Sequence, residues 1–190
     1  MHKHLILSFS DSNMAGYNWR WEFYVQRHAK AWRLSARQVV CEDMPMVVEP
    51  RSGLTDGAEI FDALRYMLQE TGYDLDPDRV PDIAAAIEKM DPVLADEFRR
   101  GEEIIEEREA VEEERVAKER VAKLAPYRER IDRYVERFSD DPRKGWASAR
   151  TCARVFIENY VVEHGRVPAG RHVIEWRGYS GPAHDFGDFA

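Results

Sequence analysis

Glu102, Glu103, Glu106, Glu107, Glu109, Glu112, Glu113 and Glu114 crowd thirteen positions in which Arg108 is the one basic side chain. What such a concentration of carboxylates can do is electrostatic. Residues 115–137 then carry eight Lys or Arg against Glu119, Glu129, Asp132 and Glu136. An acidic front and a basic rear suit a helix macrodipole, which favours anions at the N-terminus and cations at the C-terminus. They also suit an antiparallel second copy, giving a two-fold homodimer. Asp74, Asp76, Asp78 and Asp82 extend the acidic character upstream. The partner-binding surface expected from the sequence is therefore Asp74, Asp76, Asp78, Asp82, Glu102, Glu103, Glu106, Glu107, Glu109 and Glu113. Such a surface fits a basic protein, including a nucleic-acid-handling complex before which carboxylates stand in for phosphates.

A second set of residues points elsewhere. Arg20, Tyr24, Arg33 and Arg37 alternate with apolar neighbours and would share the outer face of a sheet, where Arg and aromatic groups can hold phosphates and stack bases. The same pattern describes the wet face of an ordinary antiparallel sheet. Direct nucleic-acid binding through these four residues is the alternative function, with Arg143, Lys144, Arg150 and Arg154 as added phosphate contacts. An enzyme whose site is dispersed through the sequence is the third.

Other groups offer less. Carboxylates are too numerous to single out an acid and base pair. His2 and His4 share a strand face without a carboxylate to orient them, and His172 and His184 lack ligand-spaced partners, so no metal is implied. No cofactor motif is present. Asp185-Phe186-Gly187 matches a kinase tripeptide in letters alone, since no Gly-rich loop or catalytic loop precedes it. Cys41 and Cys152 form no Cys-x-x-Cys pair and no disulfide framework. A reducing, cytoplasmic setting fits, and no window approaches the roughly 20 apolar residues of a membrane span. A net charge of -8 disfavours general coating of nucleic acid.

The elements that must position these groups follow from periodicity. Leu5, Leu7 and Phe9, then Trp19, Trp21, Phe23 and Val25, then Trp32, Leu34 and Ala36 alternate with polar residues and predict a strand meander over residues 4–50. Alternation over residues 171–177 predicts a strand returning to that sheet, and the tail from Gly178 onward is expected to be loop. Asp56 with Glu59 opens a helix carrying Ile60, Phe61, Leu64, Met67 and Leu68 to Gly72. Pro81, Asp91-Pro92 and Asp141-Pro142 mark further helix starts.

From about residue 92 to 138 the pattern is a long charged helix, kinked near Ala125 because Pro126 removes a bonded N–H and disfavours the α region before it. Along its rear Val121, Leu124, Ile131, Val135 and Phe138 fit a coiled-coil seam that needs a partner helix, and these are the expected dimer residues. Trp146, Ala149, Ala153, Phe156, Ile157 and Tyr160 stripe a last helix ending at Gly165. The expected architecture is one α+β domain over residues 1–190: an antiparallel sheet covered by helices on one face, with residues 92–138 as a helical arm. The expected function is non-enzymatic: a protein-binding, regulatory or inhibitory chain acting through its acidic helix.

Overall fold

A computed structural model describes residues 2–12, 18–40, 48–140, 148–176 and 179–187. The chain is α+β and divides into two compact units, Met1–Ala110 and Val111–Ala190. Residues 13–17, within the expected meander, lie outside the described residues. Cys41, Asp141-Pro142, Arg143, Lys144 and Trp146 also lie outside them.

In the first unit, strands β1 (His4–Ser12), β2 (Asn18–His28), β3 (Ala31–Val40) and β4 (Arg51–Leu54) form an antiparallel sheet in sequential order. The turn between β2 and β3 needs only two residues, and Ala29 takes φ 56 to make it. Alternation puts Trp21, Phe23, Val25 and Leu34 inside, with Leu7 opposite Phe23 and Phe9 opposite Trp21. A register shift between Leu5 and Leu7 lets both Ile6 and Leu7 face the core, as an extra residue in one strand of a pair does.

Helices α1 (Gly57–Glu70), α2 (Val80–Glu88) and α3 (Pro92–Arg99) supply Ile60, Leu64, Met67, Ile83, Ile87, Leu94 and Phe98 to the same core. The starts of α1 and α3 are capped as the sequence indicates. Asp56 accepts from the Glu59 amide, and Asp91 from Val93 and Leu94, each leaving Pro or Gly at the first helical position. Gly57 is where α1 meets α3: a Cβ there would fall on the Leu94 carbonyl oxygen and the Phe98 nitrogen.

The long helical stretch is interrupted twice. Arg100 ends α3, α4 runs Gly101–Leu124, a 3-10 turn occupies Ala125–Tyr127, and α5 follows at Arg128–Val135. The second interruption falls at the proline, as expected from its missing donor. At about 1.5 Å per residue, α4 is about 36 Å long.

In the second unit, Ile131, Tyr134 and Val135 pack against Ala153, Ile157 and Val161 of α6 (Ala149–His164) and against Phe186. Ser148 caps α6, accepting from the Thr151 amide, and Gly165 ends it at φ 66. Two expectations are corrected here. The strand at residues 171–177 does not join the main sheet: β5 (Arg171–Trp176) pairs antiparallel with β6 (Tyr179–Asp185) as a separate two-stranded sheet. The tail is therefore no simple loop, because its residues 179–185 are the second strand of that hairpin. Phe186, the centre of the kinase-like tripeptide, is fully buried, and its amide donates to the Gly170 carbonyl. Its role is packing.

Candidate functional site

One face of α4 is committed to the first unit. Gly101 lies against the Phe61 ring, where a Cβ would collide with the Phe61 side chain, and Ile105 packs on the same core. Three residues on, Arg108 reaches Asp56, its Nη2 donating to Oδ2 at 2.7 Å. Burial alone raises the Asp56 carboxyl pKa. The bonds from Arg108 and from the Glu59 amide, with the charge of Arg108, outweigh that and hold it below the usual carboxylate value. The lone cation of the acidic run is thus spent on the N-cap of α1. Sequence reasoning identified the cap but not its partner, although Arg108 standing alone among eight carboxylates was the available signal.

The middle of α4 faces water. Residues 106–119 are exposed at every position, so this stretch has no buried side, and Val111 and Val116 stand exposed within it. Two patterns of charge follow each other along it. In the rear half the carboxylates are matched on the helix itself: Arg115 bridges Glu112 at 2.5 Å and Glu119 at 3.4 Å, Lys118 holds Glu114 at 2.6 Å, and Lys123 holds Glu119 at 2.8 Å. Hydrogen bonding to Arg115 lowers the Glu112 pKa, and hydrogen bonding to Lys123 lowers that of Glu119. In the front half Glu103 pairs with Arg100 at 2.8 Å. Among the described residues no cation lies within 4 Å of Glu102, Glu106, Glu107, Glu109 or Glu113. Glu102, Glu106, Glu109 and Glu113 recur at intervals of four, three and four, which places them on one face.

The upstream acids form a separate group. Asp74, Asp76 and Asp78 are exposed on the segment after α1, where Asp76 caps the short turn Pro77–Arg79 by accepting from the Asp78 amide, and Asp82 is exposed in the first turn of α2. Asp74 and Asp76 rim a groove of about 170 Å³ floored by Leu7, Phe9 and Leu68. Beside it, Tyr73 donates to Asp11 and accepts from the Trp19 indole, a link across the sheet that no spacing announces.

The expected dimer seam is divided. Ile131 and Val135 are buried and Phe138 half-buried against elements of their own unit, so α6 supplies the partner helix that the pattern demands. Leu124 is half-buried and Val121 is 63 % exposed. These two, with Ala125 and Ile131, floor a groove of about 330 Å³.

The basic face is also occupied by its own chain. Arg20, Tyr24, Arg33 and Arg37 lie on the outer face of the sheet, but Glu22 sits among them, opposite Arg37 in register and only 8 % exposed. It accepts from the Tyr24 hydroxyl at 2.6 Å and pairs with Arg20 at 2.7 Å. The bond to Glu22 raises the Tyr24 pKa in spite of the two nearby arginines. An incoming phosphate would have to compete with this carboxylate.

Among the described residues, no group of three or more His, Cys, Asp or Glu is placed to hold a metal ion, and no helix is long and apolar enough to cross a membrane. No protein-family model matches the chain, and neither a curated protein nor a solved structure is significantly similar to it.

Proposed function

We propose that this is a non-enzymatic, partner-binding protein that engages a basic protein surface through the front half of α4. The observation that carries the reading is the row Glu102, Glu106, Glu109 and Glu113: four carboxylates on one helix face, without a cation within 4 Å among the described residues, on a helix already anchored by Gly101, Ile105 and Arg108. Carboxylates held on a fixed helix meet a partner with their spacing already set, which lowers the ordering cost of binding. Their charge steers a basic partner and repels an acidic one.

Along the axis the row presents a charge about every 4.5–6 Å. Phosphates on one strand recur more closely, about every 3.4 Å of axis, so the row is a sparser line of charge of the same sign. A protein that normally grips nucleic acid is therefore a natural partner class, and an inhibitor by phosphate mimicry is the corresponding role. The outer face of the sheet is less suited to the opposite role of binding nucleic acid directly, because Glu22 already neutralises Arg20 and holds Tyr24.

The test is a titration of a fluorescent oligoarginine peptide at several salt concentrations. Binding should weaken as salt rises, and replacing the four glutamates by glutamine should weaken it tenfold or more. A variant with Asp74, Asp76, Asp78 and Asp82 changed to asparagine should bind within a few-fold of the parent. Equal affinity of the glutamine variant and the parent would remove the reading.

A further inference from the structure

The groove of about 330 Å³ in the second unit has a floor and a charge that the acidic row does not explain. Val121, Leu124 and Ala125 line it on one side of the break at Pro126, Arg128 and Ile131 on the other, and α6 adds Arg154 and Glu158. Its floor is continuous with the unit's core, since Ile131 belongs to that core and Leu124 packs against it. Val121 is exposed, so the apolar floor is open to water. Three arginines and two carboxylates meet around it. Arg154 holds Asp132 at 2.6 Å and reaches Glu158 at 3.7 Å, while Arg120 reaches Glu158 at 3.5 Å and donates to Asn159 Oδ1 at 3.0 Å. Both carboxylates are thus engaged. Arg128 is exposed, and among the described residues no carboxylate lies within 4 Å of it. One guanidinium is left over beside an apolar groove, and its complement is a ligand that joins an apolar body to a single anionic group.

We infer that this groove binds a medium-chain monocarboxylate, its carboxylate on Arg128 and its hydrocarbon along Val121, Leu124 and Ile131. The site is separate from the glutamate row and does not depend on the reading above. Size decides for a small ligand. At about 30 Å³ per water-sized group, the groove takes roughly ten such groups, the bulk of a chain of about ten carbons. A macromolecular partner needs about 800 Å² of surface, and the neighbouring Arg115, Lys118, Glu119 and Lys123 are already paired along α4. Charge decides for a monoanion, because one cation of the five charged groups is left uncompensated. Small-molecule sites have this make-up: a mostly apolar lining with a few polar groups that fix the ligand's direction. The carboxylate takes the end where Arg128 stands, and the chain covers the apolar floor that water now meets.

The experiment is isothermal titration calorimetry of the full chain with hexanoate, octanoate, decanoate and dodecanoate below their micelle concentrations, with octanol and octylamine as controls. An amide chemical-shift map of the decanoate complex locates the site. Saturable binding is expected, tightening about fourfold per methylene as far as decanoate and levelling at dodecanoate, whose chain outruns the groove. The largest shifts should fall at Val121, Leu124, Arg128 and Ile131. Arg128→Gln should weaken octanoate fivefold or more and leave octanol unchanged, and Val121→Asp should weaken both. Each position is exposed, and circular dichroism checks that the variants keep the parent's helicity. Absence of saturable binding, octylamine bound as tightly as octanoate, affinity that climbs on to dodecanoate without levelling, or both variants binding as the parent does overturns the inference. So does a parent that is dimeric and becomes monomeric in Val121→Asp, since a second copy then fills the groove. The variant with Glu102, Glu106, Glu109 and Glu113 changed to glutamine should bind decanoate as the parent does, which separates this site from the acidic row.

Discussion

Arg108 of α4 and Asp56 at the start of α1 are fifty-two positions apart and share a hydrogen-bonded ion pair at 2.7 Å. The same carboxylate caps α1 through the Glu59 amide at 2.9 Å. A surface arginine thereby reinforces a helix start, and with Gly101 and Ile105 it ties the first turns of α4 to the first unit.

Replacing Asp56 by alanine should cost about 1–2 kcal/mol at neutral pH, the usual range for a lost N-cap. Because its folded carboxyl is held below the ordinary value, the contribution is complete above the unfolded pKa near 4 and is lost as pH falls through the folded value. Urea unfolding of the parent and the variant at pH 7, 5 and 3 should show a gap that is constant between the first two and narrower at the third.

Gly57→Ala tests the close approach of α1 and α3. Its methyl group would meet backbone atoms rather than a side chain that could swing away, so the helices must separate. A loss of about 3 kcal/mol is expected, at the upper end for overpacking, and thermal unfolding measures it.

The divided seam gives a contrast within one pattern. Ile157→Ala empties space facing Ile131 and Val135 and should cost about 2–5 kcal/mol, whereas Val121→Ala removes an exposed side chain and should change stability by less than about 0.5 kcal/mol. Chemical denaturation of the two variants decides it. Similar losses at both positions would mean that Val121 is covered within its own chain.

Arg115 bridges one carboxylate three residues before it and another four residues after it. Arg115→Gln should raise amide hydrogen-exchange rates across residues 106–119 relative to the parent. Half-molar salt should shrink the difference, since exposed pairs are screened.

Elements that rely on periodicity and capping were legible in the sequence. The meander, the Asp56 and Asp91 caps and the break at Pro126 each have a local cause, a two-residue alternation or one side chain beside one amide, and the fold follows them. Partners distant in sequence were not legible. Nothing local indicates that residues 171–176 pair with residues 179–185 rather than with the main sheet, because alternation specifies a strand without specifying its neighbour. β4 was missed because Arg51–Leu54 is four residues with Gly53 at φ 83, too short to alternate. The seam was seen as a need for a partner helix, and heptad spacing is silent on which helix that is; for Ile131 and Val135 it is α6. At the acidic row the sequence showed the charge and its direction. Which glutamates would be matched depended on Arg100, Arg115, Lys118 and Lys123 finding neighbours at three or four residues while leaving one face without any.

The most direct measurement of the central claim is an amide chemical-shift map of the isotopically labelled protein titrated with oligoarginine. The largest changes should fall at residues 102–113 of α4 and disappear when Glu102, Glu106, Glu109 and Glu113 are changed to glutamine. Changes centred on Asp74 to Asp82, on the outer face of the sheet, or spread evenly over every exposed carboxylate would contradict it.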